Sequence, residues 1–226
     1  MNEKIIEIKN LSKKYFYNNN YLNIFDNMNF SLSKEDIVSI VGPSGCGKST
    51  FLNIIGLLDS NFKGQYKFLT KDTSTLNISQ KNILRNESIG FVHQFFHLIP
   101  ELNVLENIIL PNLIYKDDYK HSVNLAKDIL ENFSLIDKIY SNPNDLSGGE
   151  QQRVAIARSL VNKPDIVIAD EMTGNLDEAT ADYIFDFFLK TIKMNKQSLI
   201  FVTHNRKYAQ HAKYIYKIKN KTLLID

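Results

Sequence analysis

Cysteine is nearly absent: Cys46 is the only one in the 226-residue chain. With no second thiol there is no disulfide framework, which removes the small stapled secreted domains. No run approaches the ~18 consecutive apolar residues that a membrane-crossing helix needs. Met1-Asn2-Glu3-Lys4-Ile5-Ile6 also lacks the apolar core of a signal peptide. An excess of either charge is missing too. The formal net charge is +2 and no Lys/Arg block exceeds a pair, so no nucleic-acid partner is expected. Internal repeats and low-complexity linkers are absent. These absences point to the cytosol and to one ordinary α/β domain over residues 1–226, long enough to bury a substantial core.

Glycine is scarce, yet three glycines fall within Gly42-Pro43-Ser44-Gly45-Cys46-Gly47-Lys48-Ser49-Thr50. The stretch fits G-x-x-x-x-G-K-[ST], the phosphate-binding loop. Glycines at 42, 45 and 47 let backbone N–H groups turn toward phosphate oxygens. Lys48 supplies a point charge for the outer phosphates, and the Ser49 hydroxyl is a ligand for Mg²⁺. The flanks agree. Ile37–Val41 is an apolar run expected to form a buried strand, and Ser49–Ile55 has the pattern of a helix. A strand, loop and helix in that order put the anion at a helix N-terminus.

Before the loop, Ile5–Leu11 alternates apolar with polar residues, and Met28, Phe30 and Leu32 fall at every second position. Both predict half-buried strands, joined through a polar turn at Asn18–Asn20. Tyr15 between them is either a base-stacking aromatic or an ordinary core aromatic; local sequence leaves both open. After the loop, Gly64–Phe68 predicts a strand, Ser79–Glu87 a short helix, and Ile89–Val92 a strand ending at His93-Gln94. A polar Gln94 at a strand's C-terminal end sits where α/β sheets place ligand groups. Phe95–Pro100 and Val104–Pro111 carry more apolar residues than one helix face needs, and the expectation adopted is a surface that docks a partner. Val123, Ala126, Ile129, Leu130 and Phe133 are near helical spacing within a helix from about Tyr119 to Asn132. His93, His97 and His121 have no metal-ligand spacing.

Two further motifs carry chemistry. Leu146-Ser147-Gly148-Gly149-Glu150-Gln151 opens a helix, with Ser147 as N-cap and Gly148 and Gly149 beside the helix start. Local sequence leaves two readings open, a plain capped helix or a second anion-binding end, which in a chain that needs only one phosphate loop would suggest a second subunit's nucleotide. Asp165–Glu171 predicts a buried strand finishing in two acids, Asp170 and Glu171. In a chain with a phosphate loop, Asp170 would orient Mg²⁺ and Glu171 would polarise the attacking water. A loop at Thr173–Asp177 and a helix from about Glu178 to Ile192 follow. Ser198–Thr203 then predicts a strand ending at His204, and Tyr214–Ile225 two short strands turning at Asn220-Lys221.

The set of motifs resembles ABC-transporter ATPase subunits over nearly the whole chain. The Leu146–Gln151 run is similar to that family's signature. By this resemblance Tyr15 is the adenine-stacking aromatic, Gln94 the Q-loop residue contributing to Mg²⁺ and catalysis, Asp177 the D-loop residue and His204 the switch histidine. It implies a P-loop NTPase fold with a mainly parallel sheet, an N-terminal antiparallel β subdomain and a helical subdomain inserted at about 95–160. It implies ATP and Mg²⁺ as cofactors. Two copies would pack head to tail, each ATP lying between one copy's phosphate loop and the other's Ser147, Gly148 and Gly149. Integral membrane ABC subunits would dock near residues 95–111.

Phe91–Pro111, Ala169–Asp177 and Val202–Asn205 resemble more narrowly the LolD ATPases of lipoprotein-releasing complexes, grouped with the MacB and FtsE ATPases. This implies extraction of lipoproteins from the outer leaflet of the inner membrane, driven by a peripheral subunit at the membrane's cytoplasmic face. The alternatives within the group are MacB-like efflux and FtsE-like division signalling. A DNA- or ribosome-acting ATPase would usually carry two such units or a coiled-coil insertion, and a small-molecule kinase would leave the Ser147-Gly148-Gly149 run unexplained. Met172 stands where the family usually has Pro, which predicts a looser turn after Glu171, and Asn220 stands where Gly is usual.

Overall fold

The computed structural model describes residues 3–17, 19–115 and 118–226; Met1, Asn2, Asn18, Lys116 and Asp117 lie outside them. In chain order the elements are β1 (Lys4–Tyr17), β2 (Asn20–Ser33), β3 (Ile37–Val41), α1 (Lys48–Ile55), β4 (Lys63–Phe68), β5 (Lys71–Asp72), α2 (Ile78–Ser88) and β6 (Ile89–Val92). Next come α3 (Val104–Leu113), α4 (Tyr119–Asn132), α5 (Gly148–Leu160), β7 (Ile166–Asp170) and α6 (Glu178–Met194). The chain finishes with β8 (Ser198–Val202), α7 (Arg206–Ala209), β9 (Tyr214–Lys219) and β10 (Thr222–Ile225). The fold is α/β, and it divides into two compact units: the chain up to Arg85 with Gln197–Asp226, and Asn86–Lys196.

In the first unit β2, β1, β4 and β5 form an antiparallel sheet in that order. Its inner face is written by alternation: Ile6 and Ile8 on β1, Phe30 and Leu32 on β2, Tyr66 and Phe68 on β4 are all buried. The alternation in β1 changes phase after Ile8. The register shifts between Ile8 and Leu11, where Asn10 adopts φ 54°. An extra residue there moves the buried positions from even to odd numbers, so Leu11 and Lys13 point inward. The strand expected to end at Leu11 therefore runs on to Tyr17. Beside this sheet's residues, β3 lies between β8 and β9, parallel to both, and β10 closes antiparallel on β9. β8 is buried at every position, as a strand covered on both faces must be. Phe51 of α1 packs edge-on against Phe25 and Phe30 of β2, with ring centroids 6.2 and 5.2 Å away.

In the second unit β6 and β7 pair in parallel, and α3 packs on α4 and α5. Val104, Leu105, Ile108 and Ile109 of α3 are buried. This narrows the expected docking segment: its second half, residues 104–111, is core, and within 95–100 Phe95 stays 63% exposed. Asn107, fully buried on α3, holds the segment before it. Its amide donates to the carbonyls of Ile99, Leu102 and Asn103 at 3.0 Å, and its Oδ1 accepts from the Ile99 N–H at 2.8 Å.

Candidate nucleotide site

The first unit holds the phosphate loop between β3 and α1. Gly47 is the N-cap of α1, left-handed at φ 107°, and no side chain caps the helix. A Cβ at Gly47 would sit 2.8 Å from Ile24 Cγ2 and 3.0 Å from the Phe25 ring, so only glycine lets the loop lie this close to β2. The first turn of α1 contains no acidic side chain, so its orphan N–H groups face no built-in anion from their own turn. Lys48 is buried along its stem, and its ammonium donates to the carbonyls of Gly42 and Pro43 at 2.9 and 3.0 Å. Pro43, Ser44, Gly45 and Ser49 are exposed, and Cys46 and Thr50 partly so. An uncapped helix start with a lysine held over it is a cradle that fits a polyphosphate.

Tyr15 is no core aromatic: it is 39% exposed at the far end of β1. The Lys13 ammonium lies 4.5 Å from its ring centroid, and its hydroxyl donates to Asp59 Oδ2 at 3.2 Å. Burial alone would push the Asp59 carboxyl up, but hydrogen bonds from Lys13, the Asn61 N–H and Tyr15 hold it below the usual carboxylate range. His204 follows β8 and is exposed, in a turn where the Asn205 N–H donates to Thr203 Oγ1 at 3.0 Å.

The second unit holds the other residues. Asp170 ends β7, and Glu171 turns the chain at φ 46°, a conformation that costs a non-glycine residue strain. The turn is closed: the Gly174 N–H donates to the Glu171 carbonyl at 2.9 Å, and Met172 is buried. The looser turn expected from Met172 is therefore not what forms. Gln94 is tied to the following loop in both directions. Its Nε2 donates to Asn175 Oδ1 at 3.2 Å, and Asn175 Nδ2 donates to the Gln94 carbonyl at 3.0 Å. Asp177 is the N-cap of α6, its carboxylate accepting from the Thr180 N–H at 3.1 Å and held low in pKa by Thr180.

Ser147 caps α5 in a capping box. Glu150 Oε2 accepts from both the N–H and the hydroxyl of Ser147 at 2.7 Å, and these bonds hold its carboxyl below the ordinary range. Gly148 is partly exposed and Gly149 buried at the same helix start. Beside Gln94, burial and the His97 ring 5.1 Å away keep His93 easier to deprotonate than a free imidazole. Arg158 donates to the carbonyls of Phe96 and His97 at 2.8 and 2.7 Å, fixing the chain just past Gln94.

Tyr15, residues 42–50 and His204 thus belong to one unit, and Gln94, Ser147–Gly149, Asp170, Glu171 and Asp177 to the other. Sequence reasoning missed Lys13, Asp59, Asn175 and Arg158 as parts of these arrangements. Lys13 carried a signal, being a lysine two positions after the inward Leu11. Nothing in local pattern marked Asn175 or Arg158, whose partners lie 81 and about 60 residues away.

The description of ABC transporters matches residues 25–174. The chain is 40% identical over 223 residues to the lipoprotein-releasing system ATP-binding protein LolD of Rickettsia bellii, covering 99% of each. It is 38% identical over 209 residues to the same-named protein of Novosphingobium aromaticivorans, covering 92% of this chain and 93% of the other. Among solved structures it is similar to a dimeric ATP-binding cassette in a post-hydrolysis state bound to ADP and Pi, with TM-score 0.88, 34% identity and 98% and 97% of the chains covered. A dimeric bacterial ABC transporter cassette matches with TM-score 0.86 and 36% identity over 96% of each chain.

Proposed function

The chain belongs to the ABC transporter family, and from that premise we propose that it is the ATP-hydrolysing subunit of a lipoprotein-releasing complex of the inner membrane. The observation that carries this reading is likeness to the LolD proteins over 99% of both chains, since the nucleotide motifs alone are common to the family. Tyr15 stacks on the adenine, residues 42–50 cradle the phosphates, and Lys48 neutralises the outer ones. Glu171 takes the proton of the attacking water, with His204 and Gln94 positioning the reacting groups.

Ser49, Gln94 and Asp170 offer a hydroxyl, an amide oxygen and a carboxylate, an all-oxygen set that suits a hard cation with few protein ligands. These residues would hold Mg²⁺, which when bound offsets the negative charge on the phosphate oxygens. The enzyme works as a head-to-tail pair of copies, in which Ser147, Gly148, Gly149 and Asp177 of one copy face the nucleotide on the other. Among the described residues no helix is long and apolar enough to cross a membrane. The subunit sits peripherally at the cytoplasmic face, docked to membrane subunits through the exposed part of 95–100, with buried α3 as its support.

Glu171→Gln tests the catalytic assignment: turnover should fall about 10²–10⁴-fold while ATP still binds. Near-normal turnover would remove Glu171 from the mechanism. The same variant, tagged and purified from its own membranes with ATP, tests the cargo. Co-purifying membrane subunits of lipoprotein-release type support it; a division-type membrane protein, or ribosomes without any membrane protein, overturns it.

A further inference from the structure

We infer that Lys13 and Asp59 form a clamp that sets the Tyr15 ring as the purine platform of the nucleotide site. Both are positioning residues, and the inference rests on the proposed stacking of adenine on Tyr15. Lys13 lies two residues before Tyr15 on β1, and its ammonium lies over the Tyr15 ring. Only 2% of Lys13 is exposed, which is rare for a lysine and demands partners for its charge. The ammonium has three. It sits 2.7 Å from Asp59 Oδ2, donates to the Asn61 carbonyl at 2.6 Å, and lies 4.5 Å from the centre of the Tyr15 ring. Asp59 completes the triangle by accepting from the Tyr15 hydroxyl at 3.2 Å.

A tyrosine held by its hydroxyl at one end and by a cation on one face has lost most of its freedom to rotate. Its exposure must then lie on the other face and the edge. An ammonium behind the ring also draws π-density toward itself, which changes how the front face meets another π-system. The clamp is placed for this work. Lys13 pairs in register with Phe25, whose ring stands 3.0 Å from where a Cβ on Gly47 would lie. Asp59 follows α1 directly, its N–H bonded to the Asn53 carbonyl at 3.0 Å. The base platform is thereby tied at both ends to the helix that begins in the phosphate loop. If Lys13 and Asp59 served only to join β1 to α1, they would stabilise the fold without regard to the ring.

A double-mutant cycle on the full chain separates the two roles. Lys13→Met and Asp59→Asn are made together, because removing one alone leaves a buried charge without its partner. The pair should raise the KM for ATP about three- to tenfold, the effect falling on KM rather than kcat. Tyr15→Ala should raise it at least as much, and the triple variant no further than Tyr15→Ala. An unchanged KM in the paired variant, or additive effects in the triple, overturns the clamp. An unchanged KM in Tyr15→Ala overturns instead the stacking role of Tyr15. Should the paired variant not fold, Tyr15→Phe removes the hydroxyl anchor alone; it should raise KM about twofold, and no rise there also overturns the clamp.

Discussion

At the scale of single residues, three positions are tightly constrained by their surroundings. Gly47 carries two constraints at once, a left-handed backbone at φ 107° and side-chain atoms of Ile24 and Phe25 within 3.0 Å of any added Cβ. Gly47→Ala therefore has to bend the loop or push β2 away. It should cost about 1–3 kcal/mol of stability, the range for a forced backbone conformation, and should weaken ATP binding as well. Equilibrium binding of a fluorescent ATP analogue checks this, and wild-type affinity would mean that the loop relaxes without loss. Glu171 bears backbone strain of its own, a left-handed conformation at φ 46° in a residue with a side chain. Strain of this sort marks positions where the direction of a side chain matters more than stability. Asn107 acts by bonding alone, satisfying four backbone groups of residues 99–103 from inside the core.

At the scale of elements, the start of α5 joins stability to pH. The Glu150 carboxylate accepts two hydrogen bonds from Ser147, and its pKa lies below that of a free glutamate. A depressed folded-state pKa adds stability that is present above the ordinary value, about 4.3, and fades as pH falls through the folded value. Glu150→Gln keeps the capping hydrogen bonds but removes the charge. It should match wild type in acid and fall below it near neutrality by a few tenths of a kcal/mol, as expected for an exposed cap. Urea midpoints at a series of pH values test this; a constant difference across the series would mean that the charge plays no part. Such elements were legible from sequence because their signals are local: Ser147 as an N-cap before two glycines, alternation in β2, a continuous apolar run in β8. Boundaries failed where long-range packing intervened. The bulge at Asn10 hid the length of β1, and apolar residues 104–111 suggested a surface although α4 and α5 cover them. Local pattern reports how apolar a face is, and it cannot say what lies against it.

At the scale of the whole molecule, the sequence marks two glycine-bearing helix starts, one at Gly47, which no side chain caps, and one at Ser147 in the other unit, which Ser147 and Glu150 cap. If each nucleotide is shared between copies, defects in the two places must complement each other. Lys48→Ala removes the cation of every phosphate loop in a pure preparation. Ser147→Arg puts a bulky cation at every signature helix start, where the dipole also disfavours it. Each variant alone should be nearly inactive. In a mixed pair, one site receives both defects, and the other is built from an intact loop and an intact signature. Random mixing makes half of the pairs mixed, so the blend should recover roughly a quarter of wild-type turnover if the sites act independently. Recovery should follow the concentration of both partners, because it depends on their encounter. A blend no more active than its components, with both variants folded and still able to dimerise, would place the whole site within one chain. The signature helix would then need another explanation than a partner's ATP.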